Sequence, residues 1–100
     1  MSKEILKINE IAEIIKPIAK EYKIKEIYIF GSYARGEATP ESDIDILVIG
    51  GEGFKLTRIF SFAEELRAVI DKKIDVFEIH EVNKDSGFYN TIMDERVLVA

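Results

Sequence analysis

The sequence contains no cysteine and no tryptophan, and only two prolines among 100 residues. Without cysteine there is no disulfide framework, no zinc-thiolate site and no thiol nucleophile, a composition compatible with a reducing cytoplasm. Positive charge is also short, with 14 Lys plus Arg against 19 Asp plus Glu and a net charge of -5. That balance has the wrong sign for a protein that holds duplex nucleic acid by counterion release. No apolar run is long enough to span a bilayer, and the opening Met1-Ser2-Lys3-Glu4 leads into a charged pattern rather than a signal-peptide core. A soluble, cytoplasmic protein is the expectation. The hydrophobic fraction of 47% is too high for a disordered chain, and the length fits one domain spanning residues 1–100.

Apolar residues from Lys3 to Tyr22 recur at spacings of three and four (Ile5, Ile8, Ile11, Ala12, Ile15, Ile18, Ala19, Tyr22), which predicts an amphipathic helix with a kink at Pro17. Ile24 to Phe30 is β-branched and aromatic, stops at Gly31-Ser32, and reads as a buried strand. A helical turn and a loop containing Gly36, Thr39 and Pro40 then lead to a second strand, Asp43 to Ile49. After the turn Gly50-Gly51-Glu52-Gly53, a second amphipathic helix is expected over Lys55 to Ile70 and a third strand over Ile74 to Ile79. A short helix around Phe88 to Glu95 and a terminal strand at Val97 to Val99 complete the order.

The chemistry concentrates between Gly31 and Asp45. Strand alternation places Asp43 and Asp45 on one face and Ile44, Ile46 and Val48 on the other. Two adjacent carboxylates on an apolar strand are costly unless a cation compensates them, and hard oxygen ligands suit Mg²⁺ or Mn²⁺. Asp75 lies on the face of the third strand opposite Ile74 and Val76. If the second and third strands are neighbours, it joins the pair in a three-carboxylate cluster able to hold two metals for in-line phosphoryl chemistry. A strand that ends in Gly31-Ser32 at the start of a helical turn presents backbone N–H groups and a hydroxyl to phosphate oxygens.

These residues resemble the nucleotidyltransferases of the DNA polymerase β superfamily, in particular the minimal nucleotidyltransferase domains. The family pattern of Gly-Ser, ten residues and Asp-x-Asp is matched by Gly31-Ser32 with Asp43 and Asp45. The extended form is matched by Ala34-Arg35-Gly36 and Ser42-Asp43-Ile44-Asp45. A chance match to the four core residues in a chain this long is on the order of one in a thousand. The resemblance implies an α/β (α+β) fold, a small mixed sheet with helices packed on one side. It makes Asp43, Asp45 and Asp75 the catalytic residues and metal ligands, with Asp75 also available as a base, and it makes Gly31 and Ser32 the phosphate holders. Arg35 and Ser42 join the nucleotide-binding group. Arg35 is open between a phosphate contact, a partner contact and a structural hydrogen bond, and Ser42 is expected to brace the loop or the neighbouring carboxylate. Tyr33 either stacks on a base or covers the site, and His80, the only histidine, reads as exposed and without function.

Minimal nucleotidyltransferases are often paired with a small helical HEPN ribonuclease, which they neutralise as antitoxins. The resemblance therefore implies transfer of AMP from ATP, with two Mg²⁺ ions, to a tyrosine of such a HEPN toxin. Two rival readings are a non-catalytic module that neutralises its partner by complex formation and an enzyme transferring a nucleotide to a small molecule. Intact carboxylates disfavour the first, and the lack of an acceptor-binding domain disfavours the second.

Overall fold

The computed structural model describes residues 5–100. The elements are α1 (Ile8–Glu21), β1 (Glu26–Phe30), α2 (Ser32–Arg35), β2 (Ile44–Ile49), α3 (Arg58–Val69), β3 (Ile74–Glu78), a 3-10 turn (Ile79–Glu81), α4 (Gly87–Glu95) and β4 (Val97–Leu98). The expected first helix begins at Lys3, and its residues Lys3 and Glu4 lie outside the described part. Within that part α1 starts at Ile8, where the Glu10 carboxylate accepts the Lys7 backbone N–H at 2.9 Å. The helix continues through Pro17 to Glu21; proline has no N–H, so only the bond that would reach the Glu13 carbonyl is lost.

The four strands form one mixed sheet in the order β3-β2-β1-β4. β1 pairs antiparallel with both β2 and β4, and β2 pairs parallel with β3 through the α3 crossover. One face is a continuous aliphatic core. Ile27 and Ile29 of β1, Ile44, Ile46 and Val48 of β2 and Ile74 of β3 are buried there against Ile11 and Ile15 of α1 and Phe62 and Leu66 of α3. Each such side chain contributes roughly 1.5–3 kcal/mol by leaving water. Tyr33 joins this core at 4% exposure, so it faces away from the carboxylates and neither stacks on a base nor covers the site.

The opposite face is only partly apolar. Phe30, Leu47, Val82 and the α4 residue Ile92 form a second, smaller cluster, with Tyr28, Phe77 and Tyr89 packed against it. The two long helices thus share one face as expected, while α4 reaches the other, drawn by Leu47, which interrupts the polar side of β2. The strands begin and end within two residues of the sequence reading. β1 starts at Glu26 rather than Ile24 because Lys23 takes a positive φ of 55° that turns the chain out of α1. Register then fixes the site: Phe30 opposes Asp45 across β1 and β2, and Asp45 opposes Asp75 across β2 and β3.

Candidate active site

Because β1 and β2 are antiparallel neighbours, the end of one and the start of the other meet at the same edge of the sheet. Gly31 leaves β1 with φ 79° and ψ -153°, a conformation that strongly favours glycine. A Cβ at that position would overlap Asp45 Oδ2 and lie 3.2 Å from Asp45 Cγ. The glycine is therefore what allows the Asp45 carboxylate to press against the turn into α2.

Asp45 is half-buried, with Asp75 beside it in register on the next strand and Asp43 two residues earlier on the same chain. Its pKa is raised to about 6, first by burial, then by the negative charges of Asp75 and Asp43, against which Arg35 acts only in part. Asp43 sits just before β2 at 37% side-chain exposure, with the Lys73 ammonium 3.7 Å from its Oδ2. Among the described residues, no three acidic or histidine side chains are gathered into a group that could hold a metal ion by themselves. The carboxylates are close enough to destabilise one another's charge, and all their donors are hard oxygens. That chemistry fits a divalent cation, with substrate oxygens or water completing its ligands.

The remaining sequence candidates line the same cleft, whose volume is about 430 Å³ and whose wall includes Gly31, Ser32, Arg35, Ser42, Asp43 and Asp45. That size suits a nucleotide. The Ser42 hydroxyl accepts the Thr39 backbone N–H at 2.8 Å and lies 3.2 Å from the Thr39 hydroxyl, so it braces the loop while facing the cleft. Arg35 is held by two carboxylates: Nε donates to Glu37 at 2.7 Å, and a terminal nitrogen donates to both oxygens of Glu95 at 3.2 and 3.1 Å. His80 is 76% exposed and leans on the buried Glu78 carboxylate, away from the residues of the cleft.

Four residues of the cleft were not foreseen as site residues: Phe30 at the end of β1 and three from α4. Glu95, at the end of α4, accepts the Gly31 backbone N–H at 2.8 Å as well as the Arg35 guanidinium, so the last helix is tied to the turn. Phe88 and Thr91 stand on the same side of α4 and line the cleft with it. Glu95 and Gly31 lie 64 positions apart, so no local spacing could reveal their contact.

A strand-turn-strand sets a glycine against the second carboxylate of an Asp-x-Asp pair, with a third Asp in register alongside, which is the arrangement expected of a nucleotidyltransferase. Residues 13–100 match the family Polymerase beta, Nucleotidyltransferase, and the chain belongs to it. Protein adenylyltransferase MntA of Thermococcus cleftensis is 33% identical over 99 residues, covering 95% of this chain and 98% of that protein. A candidate protein adenylyltransferase of Methanocaldococcus jannaschii is 45% identical over 83 residues, 80% of this chain and 89% of its own length. In fold, the chain is similar to a solved complex of a tri-AMPylated Shewanella oneidensis HEPN toxin with its MNT antitoxin. The TM-score is 0.69 at 18% identity, covering 93% of this chain and 71% of that one. Among the described residues, no helix is long and apolar enough to cross a membrane.

Proposed function

We propose that the chain is a Mg²⁺-dependent protein adenylyltransferase that transfers AMP from ATP to a tyrosine hydroxyl of a partner HEPN toxin in the cytoplasm, and so acts as its antitoxin. The observation that carries this reading is the Asp45 carboxylate pressed against the Gly31 turn, which admits no side chain, with Asp75 in register with Asp45 on the next strand. Asp43, Asp45 and Asp75 would hold Mg²⁺, or Mn²⁺ in its place, in two sites. The metal would supply charge neutralisation for the triphosphate and polarise the attacking hydroxyl.

The chain's own residues account for the rest. Ser32 and the backbone of the turn that follows Gly31 hold the β- and γ-phosphates, the Gly31 N–H itself being taken by Glu95, while Ser42 braces the loop and Arg35 offers its positive charge from the cleft wall. The tyrosine oxygen attacks the α-phosphorus. The bond from that phosphorus to the bridging oxygen breaks, pyrophosphate leaves on the opposite side, and the hydroxyl proton passes to Asp75. The acceptor's surface comes from the partner.

The test separates catalysis from mere binding. Partner ribonuclease activity is measured against increasing amounts of this chain, wild type and Asp75→Asn, with and without ATP. Catalytic neutralisation requires ATP, works below one equivalent and is lost in the variant. Protection that needs no ATP, appears only at one equivalent and survives the substitution contradicts the enzyme reading.

A further inference from the structure

The mechanism above leaves the nucleoside half of the substrate without a binding surface. The residues proposed to hold phosphates and metal are Gly31, Ser32, Asp43 and Asp45, and the same cleft is also lined by α4, through Phe88, Thr91 and Glu95. Phe88 is 47% exposed although it belongs to an aromatic triad: its ring meets Phe30 at 5.9 Å and Phe77 at 5.7 Å, both nearly edge to face. Such packing fixes the ring's orientation. Phe30 is the cross-strand partner of Asp45, and Phe77 lies two residues beyond Asp75 on the same sheet face. A flat apolar surface is therefore held one row of side chains away from the carboxylates, inside the same cleft.

We propose that Phe88 is the stacking platform for the nucleobase of the bound nucleoside triphosphate. This inference rests on the nucleotidyl-transfer reading and extends it to the part of the substrate that does not react. A macromolecular acceptor brings a contact surface of its own, whereas the nucleoside must be held by this chain. The polar groups beside the ring are already committed. The Thr91 hydroxyl donates to the Gly87 carbonyl at 3.0 Å, and the Glu95 oxygens accept from Gly31 and Arg35. The platform thus offers a π-face rather than hydrogen bonds to base edges, so purines are preferred to pyrimidines by stacking strength.

Calorimetric titration of the full chain with Mg²⁺-ATP and with Mg²⁺-tripolyphosphate tests the assignment, using wild type, Phe88→Ala, Phe88→Leu and Asp45→Asn. Leucine keeps the packing against Phe30 and Phe77 but removes the flat ring, and circular dichroism checks each variant's fold. The expected result is that both Phe88 variants bind ATP about tenfold more weakly, with tripolyphosphate affinity unchanged. ATP affinity equal to wild type in Phe88→Leu overturns the platform, as does an equal loss for ATP and tripolyphosphate. A raised KM for the acceptor protein with unchanged ATP binding overturns it too and moves the ring to the acceptor. In all these cases Asp45→Asn still weakens both ligands; if it binds them as tightly as wild type, the metal-site reading itself fails and takes the platform with it.

Discussion

The two faces of this sheet are made by the same three strands, yet they do different work. On the face covered by α1 and α3, Ile29, Ile44, Ile46 and Ile74 are wholly buried among other apolar side chains. On the other, Phe30, Asp43 and Asp45 line a cleft in which acidic and aromatic groups stand side by side, with Asp75 in register next to Asp45 though outside the cleft's lining. Alternation along a strand thus lets one short segment supply stability with its even positions and chemistry with its odd ones, and the two can be damaged separately.

The largest expected effect is on the acidic face. Asp45→Asn should lower nucleotidyl transfer by about a thousandfold or more, since a carboxylate that balances metal charge in the transition state is lost. The fold should remain intact, because removing Asp45's charge relieves its repulsion by Asp75 and Asp43. Steady-state assay with a parallel thermal melt reads both quantities. Ile46→Ala, one residue away and facing the aliphatic core, should behave inversely: about 2–5 kcal/mol of stability lost in denaturant titration, with activity per folded molecule largely retained. Comparable activity loss per folded molecule in both variants would erase the distinction between the faces.

Gly31→Ala tests where the faces join. The added methyl meets the Asp45 carboxylate and the backbone is held at positive φ, so a destabilisation of roughly 1–3 kcal/mol should accompany weaker triphosphate binding. Unchanged stability would mean that the turn relaxes freely. The smallest effect is the pH response. With the Asp45 pKa raised to about 6, a proton competes with Mg²⁺ at that carboxylate, so metal affinity should fall as pH drops through 6. The sign for metal-free stability is opposite. A carboxylate whose folded pKa exceeds its unfolded value binds its proton more readily when folded, so its contribution is present near pH 4 and is lost as pH rises through about 6. Melts of wild type and Asp45→Asn across pH 4 to 7 should converge at the acidic end and separate toward neutrality, with the variant the more stable at pH 7.

Periodicity made most of the fold legible. The helices at Ile8–Glu21 and Arg58–Val69 and the strands at Glu26–Phe30, Ile44–Ile49 and Ile74–Glu78 follow from spacings of apolar residues that burial enforces. The Gly31-Ser32 and Asp43-x-Asp45 spacing pointed to the chemistry because a turn and a strand start are local events. What alternation could not supply was the contribution of α4, whose contacts to Gly31 and Phe30 span long stretches of sequence and whose contact to Phe77 crosses a turn between two elements. Tyr33 was ambiguous for a similar reason: a residue in a four-residue helix has no periodicity to show which way it faces, and packing alone turned it into the core.

The most direct test of the central claim is to incubate the chain, its HEPN partner and Mg²⁺ with ATP labelled at the α-phosphate, then to locate the label. The account predicts label on a partner tyrosine with the wild-type chain and none with Asp45→Asn that still forms the complex. Labelling that is equal with both chains, or absent with a folded wild-type complex, would contradict it.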